Sequence, residues 1–192
     1  MSLHITGDPE ADGLLDRDPL ALLIGMLLDQ QVTMESAFAG PAKIAERAGT
    51  LDPGVLADMK SDEFVELFRI TPAVHRFPGS MAGRVQAVCA AIRDEWDSRA
   101  ENIWTAGDPD GREILKRLKA LPGFGEQKAR IFLALLGKQR GLEAAGWREA
   151  AGAYGEDGAD MSVADIVDEP SLQRVRQNKK AMKAAAKAAK QK

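Results

Sequence analysis

The 192-residue chain has a single cysteine, Cys89, and that scarcity sets the first limits. One thiol excludes an intrachain disulfide, a cysteine-built zinc site and a four-cysteine iron–sulfur cluster. Aromatic residues make up only 5% of the sequence, which argues against the stacking platforms that read single-stranded RNA. The most apolar run, Leu20 to Leu28, falls well short of the ~20 residues a membrane-spanning helix needs, and no secretory leader is legible. The expected location is the cytoplasm. Alternating strand patterns are almost absent, so the expected fold class is all-α.

Acidic residues are missing from one region in particular. Residues 171–192 contain eight basic side chains and no acid, while the first 170 carry 18 basic and 29 acidic residues. The net charge of -3 therefore averages a basic, Lys/Ala-rich tail against an acidic body. Within that body the exception is Asp110 to Arg140, where eight Lys or Arg face three acids. Positive charge in two places suggests an anionic partner for both.

What the chain does contain is a run of helix-start signals and one distinctive turn. Asp18-Pro19 pairs an N-cap acceptor with proline at the first helical position, and the helix that follows is apolar on all sides, hence central. It runs into a polar cluster, Asp29-Gln30-Gln31-Val32-Thr33, whose glutamines either cap it or reach a ligand. Further helices are expected from Met34 to Ala48, after Asp52-Pro53, from Ser61 and from Ser80. Residues 1–17 read as irregular, with a turn at Gly7-Asp8-Pro9. Residues 137–161 read as a long glycine-punctuated connection with one helical turn at Trp147 to Ala151.

The distinctive turn is Leu121-Pro-Gly-Phe-Gly-Glu-Gln-Lys-Ala129, between helices expected from Gly111 to Lys119 and from Glu126 to Gly137. Pro122 stops the first helix, and Gly123 and Gly125 let the chain reverse within a few residues. Without β-carbons there, another molecule can approach the backbone, and the unpaired N–H groups of the second helix suit a phosphate.

This hairpin, together with the Leu-Leu-Asp-Gln-Gln-Val-Thr segment and the loop Phe77-Pro-Gly-Ser-Met-Ala-Gly-Arg84, resembles the helix-hairpin-helix (HhH-GPD) superfamily of base-excision DNA glycosylases over roughly residues 18–168. The resemblance implies a helical glycosylase-like fold in residues 1–170, two helical subdomains with a cleft between them and the hairpin at 111–137, followed by the basic tail 171–192. It implies a double-stranded DNA partner holding a damaged or mismatched base, a monomer, and no membrane. The iron–sulfur cluster of some members is ruled out by the cysteine count, and no other cofactor is expected beyond a possible monovalent cation on the hairpin carbonyls of Leu121 and Gly123.

The resemblance also assigns residues. Lyase-type members carry a catalytic lysine where this chain has Gln127, with Lys128 one position later and about 100° further round the helix. Lys128 is thus expected on a phosphate, and the enzyme is expected to be monofunctional, hydrolysing the N-glycosidic bond without a Schiff base. Gln127 either touches the extruded nucleotide or is a plain exposed residue. The family's aspartate matches Asp165, with Asp160 as the alternative, and a carboxylate there would stabilise positive charge on the sugar. Gln31, beside Gln30, matches a glutamine that fills the gap left by the flipped base. Gly123, Phe124, Gly125 and Lys128 would grip the backbone, Lys180, Lys183 and Lys187 would add sequence-independent affinity, and Trp147, Tyr154, Phe77 and Phe124 are candidates for a base pocket. The alternatives are a non-catalytic reader of damaged DNA on the same scaffold and a bifunctional glycosylase/lyase using Lys128.

Overall fold

A computed structural model describes residues 3–190, and those residues contain helices and no strand. The same local device starts several of the helices: an aspartate side chain accepts backbone N–H bonds while proline occupies the first turn. Asp8 starts α1 (Pro9–Arg17), Asp18 starts α2 (Pro19–Leu28) and Asp52 starts α4 (Pro53–Asp58). The first of these is a departure from the sequence reading: Gly7-Asp8-Pro9 is the entry to a nine-residue helix rather than a turn in irregular chain. Leu15 lies on its buried face, which the short span of mixed polarity obscures.

Between these, α3 spans Met34–Ala48 and is stopped by Gly49 in the left-handed conformation. Next come α5 (Ser61–Arg69), α6 (Pro78–Glu95) and the short α7 (Asn102–Thr105). The hairpin helices are α8 (Gly111–Ala120) and α9 (Glu126–Gln139). The chain closes with α10 (Trp147–Ala151), two 3₁₀ turns at Gly152–Gly155 and Val163–Asp165, and α11 (Glu169–Ala189).

Every residue of α2 from Leu20 to Leu28 is buried, as an all-round apolar helix requires. It packs on α1, α3 and α6 on one side and on α9 on another, so it joins the amino-terminal helices to the hairpin. Truncating a fully buried residue of this helix, such as Leu27 to alanine, should cost ~2–5 kcal/mol.

The connection after α9 is not loose. Trp147 lies flat against Gly137, where an added β-carbon would meet the indole at 2.4 Å, and Ala145 accepts the amide of Gly111 at 2.8 Å. Gly137 is thus the position that lets α10 close on α9, and Trp147 is a packing residue rather than part of a base pocket. The body also extends beyond residue 171, because Leu172 and Val175 of α11 are buried in it. From Lys180 to Lys190 every side chain is exposed, and Lys192 lies outside the described residues.

Candidate nucleic-acid interface

The hairpin turn forms as its residue types dictate. Leu121 leaves α8 in an extended conformation and its carbonyl accepts the Phe124 amide at 3.1 Å, closing the turn, while Gly123 takes a φ of +79°. Gly125 is the N-cap of α9, extended, with no side chain to bond the first-turn amides. A β-carbon on Gly125 would meet nothing within 4 Å, so the start of α9 is open to an incoming anion. The one acid at this helix start, Glu126, is held by Lys119 at 2.9 Å and Arg130 at 2.7 Å. Hydrogen bonds from those two side chains keep its carboxyl below the ordinary range. Phe124 departs from expectation: its ring is buried edge-on to Phe132 at 6.3 Å and belongs to the core, not to a DNA surface.

Lys128 departs too. Its amine turns inward and donates to the carbonyls of Met26 at 2.7 Å, Leu27 at 2.8 Å and Asp29 at 3.3 Å. These carbonyls lie at the end of α2, past its regular helical bonds, where a cation is also favoured by the helix dipole. The 100° step from Gln127 aims the lysine away from the family's catalytic position, as expected, but at a helix end instead of a phosphate. Burial pulls the amine down to about 8, opposed by the carboxylate of Asp29. Gly123 is fitted against the same helix end, since a β-carbon there would come within 2.7 Å of Leu27 Cδ1. Hairpin and glutamine segment are therefore one docked unit.

Within that segment the structure separates two residues that the sequence left together. Gln30 is fully engaged: its amide donates to Leu27 at 3.0 Å and accepts from Arg84 at 2.9 Å, and its carbonyl bonds His75 Nε2 at 3.0 Å. His75 is 2% exposed, and its Nδ1 accepts the Phe77 amide at 3.1 Å, so the neutral ring with hydrogen on Nε2 fits both bonds. Gln30 thus helps hold this segment in place. Gln31 is exposed, has no side-chain hydrogen bond among the described residues, and sits at a φ of +57°. A glutamine held in the left-handed region, with its side chain unengaged, is strained backbone of the kind found at functional positions.

Asp165 and Gln127 do not meet. Gln127 is exposed at the first turn of α9 and donates to the phenol of Tyr154 at 3.0 Å. Asp165 pairs with Lys138 at 2.6 Å, both side chains nearly buried, and its second oxygen accepts the amides of Met161 and Ser162 in a capping box. Lys138 is eleven residues after Gln127 on α9, which places the two carriers about 16 Å apart along the helix. Asp160 is no nearer, held at 3.0 Å by Arg174. Besides Glu126, a second carboxylate lies close to the hairpin helix: Asp29, whose side chain is 12% exposed and 3.6 Å from the Lys179 amine. A cavity of about 610 Å³ is lined by Trp104, Asp108, Arg140 and Glu143, at the far ends of α8 and α9 from the hairpin.

An all-helical chain with a glycine hairpin seated on a glutamine-bearing helix end is a helix-hairpin-helix protein. Residues 24–192 match the family described as HhH-GPD superfamily base excision DNA repair protein, and the chain belongs to that family. The match begins inside α2 and runs through α11. A search of the curated proteins finds no match.

Proposed function

We propose that this protein is a monofunctional base-excision glycosylase. It grips duplex DNA at the open start of α9, fills the gap behind an extruded base with Gln31, and releases that base by hydrolysis. The observation that carries the reading is the triple hydrogen bond of Lys128. It ties the phosphate-gripping turn to the Gln31 segment, so both act on the same stretch of duplex, and it engages the amine that follows Gln127 on α9, which could otherwise form a Schiff base. Extrusion costs a few kcal/mol, and a wedge rigidly coupled to a backbone clamp is what offsets it.

Hydrolysis needs a carboxylate, and the geometry favours Asp29 over Asp165. Asp29 adjoins both the wedge and the hairpin helix, whereas Asp165 is committed to Lys138. Gln127, oriented by Tyr154, then faces the nucleotide as a neutral polar contact. The Leu121 carbonyl spends one lone pair on Phe124, and the second is the one we assign to a monovalent cation at the turn. No step depends on it.

A second reading, binding of damaged DNA without base release, is favoured by one observation: Asp29 itself faces an ammonium, that of Lys179. Duplexes carrying uracil, alkylated, deaminated and oxidised bases separate the two. Base release from any of them that Asp29→Asn abolishes supports hydrolysis; tight lesion-selective binding with no released base selects the second reading.

A further inference from the structure

We propose that the exposed half of α11, Lys180 to Lys190, is a second duplex-backbone contact, which extends the bound DNA on the Gln31 side of the hairpin. The proposal rests on the duplex-binding reading above and adds to it a surface and a direction.

Of the eight basic residues after Ser171, the seven among the described residues divide into two groups. Arg174, Arg176 and Lys179 are anchors: they pair with Asp160 at 3.0 Å, with Glu35, and with Asp29 at 3.6 Å. Asp29 and Glu35 stand on either side of Gln31 in the sequence, one at the end of α2 and the other in the first turn of α3. Those two pairs fasten α11 across the flanks of the wedge. Leu172 and Val175 bury the same half of the helix in the body.

Beyond Lys179 the helix has different chemistry. Lys180, Lys183, Lys187 and Lys190 are exposed and have no carboxylate partner among the described residues. The intervening residues are alanines and Met182, itself 47% exposed, so no apolar face holds this half to the body. Like charges at these spacings destabilise a helix by a few tenths of a kcal/mol each, and the dipole favours only those in the last turn. Lysine is a good helix former, but the folded chain makes no use of the charge on Lys180 and Lys183, whereas a polyanion would use the whole stripe. The body before it carries 29 acids against 18 bases, which makes a localised cationic arm useful to a DNA-binding chain. Residues 181–190 span about 15 Å, or four to five base pairs of duplex.

The test is the binding of wild type and Lys180→Gln/Lys183→Gln/Lys187→Gln/Lys190→Gln to abasic-analogue duplexes of about 12 and about 24 base pairs, followed by anisotropy across roughly 50 to 200 mM salt. Far-UV circular dichroism checks that the glutamines preserve the helix. The expected result on the longer duplex is a log–log salt slope shallower by roughly 2 to 4 in the variant, with little difference on the shorter one. Equal slopes for the two proteins on the longer duplex would overturn the arm while leaving the hairpin reading intact. An equal fall on both duplexes would overturn the extended track. Absence of wild-type binding to either duplex would sink the functional reading and the arm with it.

Discussion

Asp165 and Lys138 form a nearly buried ion pair, 2.6 Å apart, near the end of α9 remote from the hairpin turn. The pair fixes the last 3₁₀ turn to the hairpin helix, so the Asp165 carboxylate carries part of the fold's stability. Asp165→Asn would keep the cap on Met161 and Ser162 but leave the Lys138 ammonium without a counter-charge, at a cost of about 3–5 kcal/mol. Thermal melts should fall by roughly 10 °C. Adding Lys138→Met to the same chain should restore most of the loss, which a catalytic aspartate would not require.

The two hairpin glycines should separate in their effects. Gly123→Ala forces a side chain into the left-handed region, ~1–2 kcal/mol, and drives it against Leu27, so stability should drop. Gly125→Ala meets open space in an extended conformation and should change the melting temperature little. Its methyl would stand where a phosphate approaches, so binding to plain duplex should weaken. Melts and anisotropy on both variants check the split.

Gln31 should trade stability for function. Gln31→Gly removes the strain of a φ of +57° and is expected to leave stability unchanged or to raise it by up to about 1 kcal/mol. Preference for an abasic analogue over intact duplex should nevertheless fall, because nothing then fills the gap. An unchanged preference would remove Gln31 from the site.

Acid should loosen the segment that carries this residue. Burial holds the His75 imidazole below its ordinary value of 6.5, with Lys128 and Arg76 adding to the effect against the carbonyls of Gln30 and Leu28. The unfolded chain therefore takes up this proton first, and the associated stability, complete above about 6.5, is lost as pH falls below it. Denaturant titrations at about pH 7.5 and pH 5.5 should show a steeper acid loss in wild type than in His75→Gln.

The sequence made the helical frame readable because its signals are local. Asp18-Pro19, the run to Leu28, the Gly49 stop and the hairpin glycines all act within a few residues. Asp8-Pro9 carried the same signal as Asp18-Pro19 and was obscured by the glycine before it and the mixed polarity after it. The site was less legible because its meaning lies in distant partners. Gln30 and Gln31 are chemically identical, and Arg84 from α6 and the Leu27 carbonyl decide which side chain is free, while His75, from the loop before α6, holds the Gln30 backbone carbonyl. The capping box at Ser162 and Asp165 is local, but Lys138, which commits that carboxylate, comes from another helix. Lys128 follows Gln127 on α9, and helix rotation alone did not reveal what its amine meets. Its target, the end of α2, is about a hundred residues away in sequence.

The most direct test combines two assays on wild type and Lys128→Met. The lesion panel is resolved before and after alkali, and an abasic duplex is incubated with borohydride. Hydrolysis without an amine nucleophile requires that at least one base be released, that the strand break only after alkali, and that no covalent adduct form. Strand cleavage without alkali, or a trapped adduct that vanishes in Lys128→Met, would contradict it.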